Sequence, residues 1–290
     1  MDLRTPFLNR LIDVWLEEDL GRGDLAALAV KDISRSAHWI SKESGVFCGG
    51  PLVEKIFHRL DRVVSVKALV GEGETVSLGQ KILEVNGPAT ALLSGERTAL
   101  NIAMRLSGIA TATAALVAQL DGTGVRLVDT RKTTPGLRLL EKYAVRCGGG
   151  LNHRCGLDDA AMLKENYLAW AGEMESAVTA VRANAPWPVR IIVEVETVKE
   201  AEEAVLTGVD GILLDNFTPK VLHDLVPKLR QLAQDHKREG KFGQLMLEAS
   251  GIAITDLKKF ANTGVDLIST SAPVTRSSWL DFSMRFDPPI

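Results

Sequence analysis

Three stretches carry the residue types best suited to chemistry: Asp129-Thr-Arg-Lys-Thr-Thr-Pro-Gly136, Gly148-Gly-Gly-Leu-Asn-His-Arg154 and Met162-Leu-Lys-Glu-Asn166. Between Arg131 and Lys164 there are seven Lys/Arg and one His against three acids, Glu141, Asp158 and Asp159, in a chain of formal charge -3. A cationic excess confined to one stretch of a slightly acidic protein points to a focused anion site. Arg131-Lys132 and His153-Arg154 adjoin Gly/Pro-rich turns, where side chains converge on ligands and backbone can approach closely. Guanidinium forks pair bidentately with carboxylate or phosphate, so the expected ligand is a small, multiply charged anion.

The elements that must position these residues are short apolar runs alternating with amphipathic ones. Strands are expected over Arg126–Asp129, Ala160–Leu163, Arg190–Glu194, Gly211–Asp215, Gln244–Glu248 and Asp266–Ser269, with helices over Val198–Thr207, Lys220–Arg238 and Ile254–Thr263 between some of them. Such alternation implies a parallel sheet, and this many units favour an α/β barrel over an open sheet. Asp129, Lys164, Glu194, Asp215, Glu248 and Ser269 end these runs, and barrel sites sit at C-terminal strand ends. Glu194 and Asp215 could hold Mg²⁺ or stabilise a developing positive charge; their plainer role is to balance the cations. Lys164 suits phosphate contact or ion pairing. Ser250-Gly251 and Ser269-Thr-Ser271-Ala272 are small enough for backbone N–H groups to meet phosphate, although small residues also mark tight turns.

Upstream, residues 7–16 repeat at helical spacing, and residues 37–85 read as short strands split by glycines around one helix, Leu52–Leu60. Thr90–Leu120 is helical in period, with Gly95 and Gly108 as expected breaks. Glu96, Arg97, Asn101 and Arg105 interrupt its apolar character, which argues against a membrane span. With 290 residues, 46% hydrophobic and 24% charged, the chain can bury a sizeable core as one large domain or two. Three cysteines, Cys48, Cys147 and Cys155, fit a reducing cytoplasm better than a disulfide framework, and the N-terminus lacks a signal pattern. Aromatics at 5% leave no stacking platform for nucleic acid.

Three patterns are decoys. Gly21-Arg-Gly23-Asp-Leu-Ala26 mimics a dinucleotide fingerprint but follows a helix. Val70–Gly87 has the glycine spacing of a biotinyl hairpin without a lysine at its tip. Cys147, His153 and Cys155 lack the paired spacing and fourth ligand of a zinc site and read as small packed thiols.

Taken together, Asp129–Arg138, Glu141–Gly150, Asn152–Arg154, Glu194, Leu214–Phe217 and Glu248–Gly251 resemble the quinolinate phosphoribosyltransferase family, as do Glu18–Asp24 and Gly95–Asn101. The likeness covers nearly the full length. It implies an N-terminal α/β sandwich domain (1–108 with 274–290) and an incomplete, seven-stranded α/β barrel (109–273). It also implies a cytoplasmic homodimer with active sites shared between subunits, alone or as a trimer of dimers. By matching motif positions, Arg131, Lys132, His153, Arg154 and a partner-supplied Arg97 would surround quinolinate. Lys164, Glu194 and Asp215 would serve the ribose and pyrophosphate end, with Ser250, Gly251, Ser269 and Ser271 near phosphate. Lys132, Lys164, Glu194 and Asp215 are the candidate catalytic groups. The chain departs from the family pattern at Glu165 and Tyr167, at Ile252, and at Ser269–Ala272.

The implied reaction moves phosphoribosyl from 5-phosphoribosyl-1-pyrophosphate to the quinolinate nitrogen. Pyrophosphate leaves with Mg²⁺, the C2 carboxylate leaves as carbon dioxide, and nicotinate mononucleotide remains; no organic cofactor is required. A related enzyme for a monocarboxylate such as nicotinate would need fewer cations. A non-enzymatic anion binder would not need Glu194 and Asp215 facing them.

Overall fold

The computed structural model describes residues 5–31, 33–236 and 244–286, which fall into two compact units. The first draws on residues 1–114, 134–149 and 273–290, the second on 115–133 and 150–272.

In the first unit, α1 (Pro6–Leu20) starts where sequence chemistry says it should. The Thr5 hydroxyl caps the Leu8 N–H, Pro6 occupies the first turn, and Leu8, Ile12 and Leu16 form a buried stripe four residues apart. An antiparallel sheet has the order β12-β1-β5-β3, formed by Phe282–Phe286, Ser34–Ser41, Lys81–Pro88 and Ser65–Ala68. The C-terminal strand therefore completes the edge of the N-terminal sheet. β2 (Gly45–Val46) pairs β4 (Thr75–Val76), and α2 (Gly50–Leu60) packs Leu52, Val53, Ile56 and Phe57 into the core with Trp39 and Phe47.

Helix α3 (Ala89–Val117) runs through both expected breaks. Gly95 and Gly108 are there for contact: a Cβ on Gly108 would lie 2.0 Å from the Ser278 carbonyl oxygen. Gly108→Ala is therefore expected to lower stability by about 1–3 kcal/mol through overpacking, read as a lower urea midpoint. An unchanged midpoint would show that the chain near Ser278 gives way freely. Ala89–Leu120 is, among the described residues, long and apolar enough to cross a membrane, but 56% of its most apolar window is buried within the protein. Leu92, Leu100, Ala103, Leu106 and Ile109 are core residues.

α4 (Arg138–Cys147) buries Leu140, Ala144 and Val145 in this same core, so residues 134–149 group with the first unit rather than with a barrel domain spanning 109–273. The one cationic stretch read from the sequence is thereby divided. Arg138, Lys142 and Arg146 belong to the first unit, and Arg131, Lys132, Arg154 and Lys164 to the second.

The second unit is built on six parallel strands in the order β6-β11-β10-β9-β8-β7. These are Arg126–Val128, Leu267–Ser269, Met246–Ser250, Gly211–Asp215, Ile191–Val195 and Ala161–Leu163. Leu151 adds a seventh, single-residue rung: its N–H donates to the Leu127 carbonyl at 2.8 Å and its carbonyl accepts from Asp129 N–H at 3.0 Å. The strands thus follow chain order round an incomplete barrel, open between Leu151 and β7. Helices α5 (Glu165–Ala171), α6 (Met174–Asn184), α7 (Val198–Leu206), α8 (Pro219–Asp235) and α9 (Leu257–Ala261) separate them. Thr197 and Glu200 form a capping box that starts α7. Most of these boundaries fall within a residue of expectation; β10, α8 and α9 differ by more, with α9 confined to Leu257–Ala261 after a single 3-10 turn at Ile254–Asp256. β10 lies two residues later because Ala249 and Ser250 continue the ladder opposite Leu214 and Asp215, and α8 ends at Asp235, with Lys237 and Arg238 outside the described residues.

Candidate active site

Strand alternation explains which side chains the barrel gathers. Leu127, Leu163, Ile191, Val193, Val195, Ile212, Leu214, Leu247, Ala249 and Ile268 face the helices as the second core. The residues between them, Glu194, Asp215, Glu248, Ser250 and Ser269, fall on the opposite, concave face, and Lys164 continues that parity one residue beyond β7. Registers β7–β8 and β9–β10 set Leu163 against Val193 and Asp215 against Ser250. Lys164 accordingly meets Glu194: its Nζ donates to Glu194 Oε2, with side chains 40% and 18% exposed. Asp215 accepts from the Asn216 amide at 3.0 Å.

Asp129, buried just past β6, fastens the next segment. Its carboxylate accepts from the His153 N–H at 2.8 Å and from the Asn152 side-chain amide at 2.7 Å. His153 Nδ1 in turn accepts from the Arg154 N–H at 2.7 Å. Its Nε2 then carries the ring proton in the neutral form and faces Glu248 Oε2 at 3.4 Å. Arg154 spans the barrel opening by donating Nη1 to the Ala160 carbonyl at 2.9 Å. Burial holds its guanidinium below its ordinary value, and the nearby charge of Arg131 pushes the same way, while Tyr167 and Glu194 oppose. A buried guanidinium whose charge its surroundings disfavour is one that a bound anion relieves.

A cavity of about 430 Å³ lies in the barrel, lined by His153, Arg154, Glu248, Arg126, Arg190 and Asp210 among others. It reaches toward the N-terminal strand ends and includes none of Lys164, Glu194, Asp215 or Ser250. Lys164, Glu194, Asp215 and Ser250, at the C-terminal strand ends where barrel chemistry is performed, therefore lie outside this cavity.

Loops after β9 and β10 clasp each other. Asn216 adopts φ 59° and donates its N–H to the Ser250 carbonyl at 3.3 Å, and Gly251 has φ 73°. A Cβ on Gly251 would sit 3.0 Å from Asn216 N, so both its conformation and its surroundings require glycine. Ile252, where the family pattern has glycine, packs against the second core. Ser269 is buried and Ser271 half-buried, and the Ala272 N–H returns to the Thr270 hydroxyl at 3.2 Å. Glu165 and Tyr167 lie exposed on α5.

Arg97 belongs to the first unit and is exposed there, beside a 330 Å³ groove with Trp15, Glu18, Asp19, Asn101 and Arg105. It is not the only arginine on α3: Arg105 pairs with fully buried Glu141 at 2.9 Å, and Glu141 also accepts from Thr134 N–H at 2.8 Å. Among the cysteines, Cys155 is exposed rather than packed. Reading by strand ends missed the positioning parts of Asp129 and Glu248. The parity of Glu248 within β10 was the available signal.

Two family models match the chain: "Quinolinate phosphoribosyl transferase, C-terminal domain" over residues 109–285 and the N-terminal domain of the same family over 24–107. The chain is 44% identical over 273 residues to the probable nicotinate-nucleotide pyrophosphorylase (carboxylating) of Synechocystis, covering 93% of this chain and 90% of that one. It is 38% identical to the human nicotinate-nucleotide pyrophosphorylase (carboxylating), covering 96% and 91%. The crystal structure of NadC from Streptococcus pyogenes superposes with TM-score 0.89 at 36% identity, covering 99% and 100%.

Proposed function

The chain belongs to the quinolinate phosphoribosyltransferase family, and from that premise we propose a division of labour among its barrel residues. The enzyme transfers phosphoribosyl to quinolinate with decarboxylation, in NAD biosynthesis. Arg131, Lys132, His153 and Arg154 hold the two quinolinate carboxylates, with Arg97 supplied by a second subunit. Lys164, Glu194 and Asp215 serve the ribosyl-pyrophosphate end, and Ser250, Gly251, Ser269 and Ser271 take phosphate. The observation that supports this reading most is Arg154 itself, buried and joined to His153 by its N–H to Nδ1 at 2.7 Å, because a buried guanidinium beside a second cationic side chain calls for an anion.

The pyridine nitrogen attacks the anomeric carbon as pyrophosphate departs. Glu194, concave-facing and tied to Lys164, stabilises the oxocarbenium-like charge from one side. Holding quinolinate by both carboxylates aligns its nitrogen for attack. The pyridinium that forms then takes up the electron pair of the breaking C2–carboxylate bond as carbon dioxide leaves, and C2 accepts a proton from water to give the product. Glu194 and Asp215 offer the hard carboxylate oxygens that Mg²⁺ takes, so this donor set fits the ion. Bound with pyrophosphate, Mg²⁺ supplies neutralising charge to the leaving group. We assign the enzyme to the cytoplasm as a dimer that completes its sites across subunits.

Mixing Arg97→Ala with Arg131→Ala tests the assignment as a whole. Each variant alone is expected to be inactive in a Mg²⁺ assay of carbon dioxide release from quinolinate and 5-phosphoribosyl-1-pyrophosphate. Subunit exchange should then restore activity, since one of the two sites in a mixed dimer carries both arginines. Exchange verified by mass without recovery would place Arg97 outside the partner's site.

A further inference from the structure

Cys48, Glu72, Tyr143 and Cys147 converge within the first unit, away from every residue given a role above. Cys48 lies two residues before α2, Glu72 lies in the turn between β3 and β4, and Cys147 ends α4. The two sulfurs and a Glu72 oxygen all lie within 4.8 Å of one another. Nearly one hundred residues separate the cysteines, so only packing brings them together.

Zinc is a poor match for this cluster. The Glu72 carboxylate already accepts from the Gly49 N–H at 2.9 Å, the Gly50 N–H at 2.8 Å and the Tyr143 hydroxyl at 2.7 Å. That leaves two thiols, where a structural zinc site uses four ligands. Two neighbouring thiols of unequal access suit a different chemistry. Cys147 is half-buried, whereas Cys48 is fully buried.

We propose that Cys147 and Cys48 are a thiol-oxidation site, at which a hydroperoxide oxidises Cys147 and Cys48 closes an intramolecular disulfide. The Cys147 thiolate attacks the peroxide, the O–O bond breaks, and the distal oxygen leaves with a proton as water or alcohol. Cys147 is left as sulfenic acid, oxidised by two electrons. The Cys48 sulfur then bonds to the Cys147 sulfur, the S–O bond breaks, and the hydroxyl departs as water with the Cys48 proton. Local electrostatics act in both directions: burial and the Glu72 carboxylate, which accepts from the Cys147 thiol at 3.9 Å, favour the thiol, and Cys48 favours the thiolate. A hydrogen bond from Cys48 is the largest influence on Cys147 and holds it below its usual value, while burial pushes Cys48 up. The half-buried thiol is the one that peroxide meets first and the buried one the resolving partner.

Hydrogen peroxide applied to the intact protein tests this, followed by alkylation under denaturing conditions and non-reducing peptide mapping. Of the three free thiols, two should be lost together, in one peptide pair joining Cys48 to Cys147, and dithiothreitol should return both. Cys155→Ser should give the same cross-linked pair. Cys48→Ser should stop at a Cys147 sulfenic acid that dimedone traps. If burial prevents that variant from folding, Cys147→Ser should leave the Cys48 thiol fully titratable after the same peroxide exposure. Oxidation confined to exposed Cys155 in the wild-type protein, with Cys48 and Cys147 still titratable, would overturn the proposal.

Discussion

Glu194→Gln is expected to lower kcat by about 10²–10³ while the KM for quinolinate stays within a few-fold, because losing one preorganised electrostatic group costs roughly that much in rate. Gln keeps the shape and can still accept from Lys164, so the ion pair is weakened rather than emptied of a partner. On the role proposed for Glu194, what disappears is negative charge beside the ribose as it becomes oxocarbenium-like. A charge that matters mainly in the transition state shows in kcat and not in ground-state binding. Lys164→Met should be measured alongside, since a lysine left beside a neutral amide repels a developing cation. If Glu194→Gln lost little activity and Lys164→Met lost more, Glu194 would only balance Lys164.

Arg154→Ala is expected to reduce kcat/KM for quinolinate by 10² or more, as truncating one partner of a buried, hydrogen-bonded charge pair costs about 2–5 kcal/mol. Arg154→Lys should recover only part of the loss, because an ammonium cannot reproduce the planar fork. Wild-type enzyme should for the same reason turn over nicotinate far more slowly than quinolinate at equal concentration. Comparable turnover of the two acids would remove the dicarboxylate from the role given to Arg131 and Arg154. Arg154 also ties its segment to the Ala160 carbonyl, so a thermal midpoint for each variant separates lost binding from a loosened barrel opening.

Much of this site was legible because its determinants are local. Alternation over three to five residues decides that Glu194 and Asp215 share the concave face, whatever the strands later pair with. The helical periods of α1 and α7, with Thr5 and Thr197 as caps, likewise need no distant partner. The long run at Thr90–Leu120 was read correctly as helix and wrongly as broken. Glycine lowers helix propensity, but here close approach of Ser278 to Gly108 and of Phe57 to Gly95 outweighs it.

The sequence by itself determined the strand–helix alternation, the parity of the barrel-facing residues and the family to which its ordered motifs belong. Tertiary structure alone decided that α4 and its three cations join the first core, since one segment can bury its apolar stripe in only one place. It also decided that Glu248 faces His153 and that Cys48 meets Cys147. The physical reason is common to all of these. Periodicity and capping are set by neighbours a few residues apart, whereas contacts between distant positions exist only after apolar burial has fixed which faces meet.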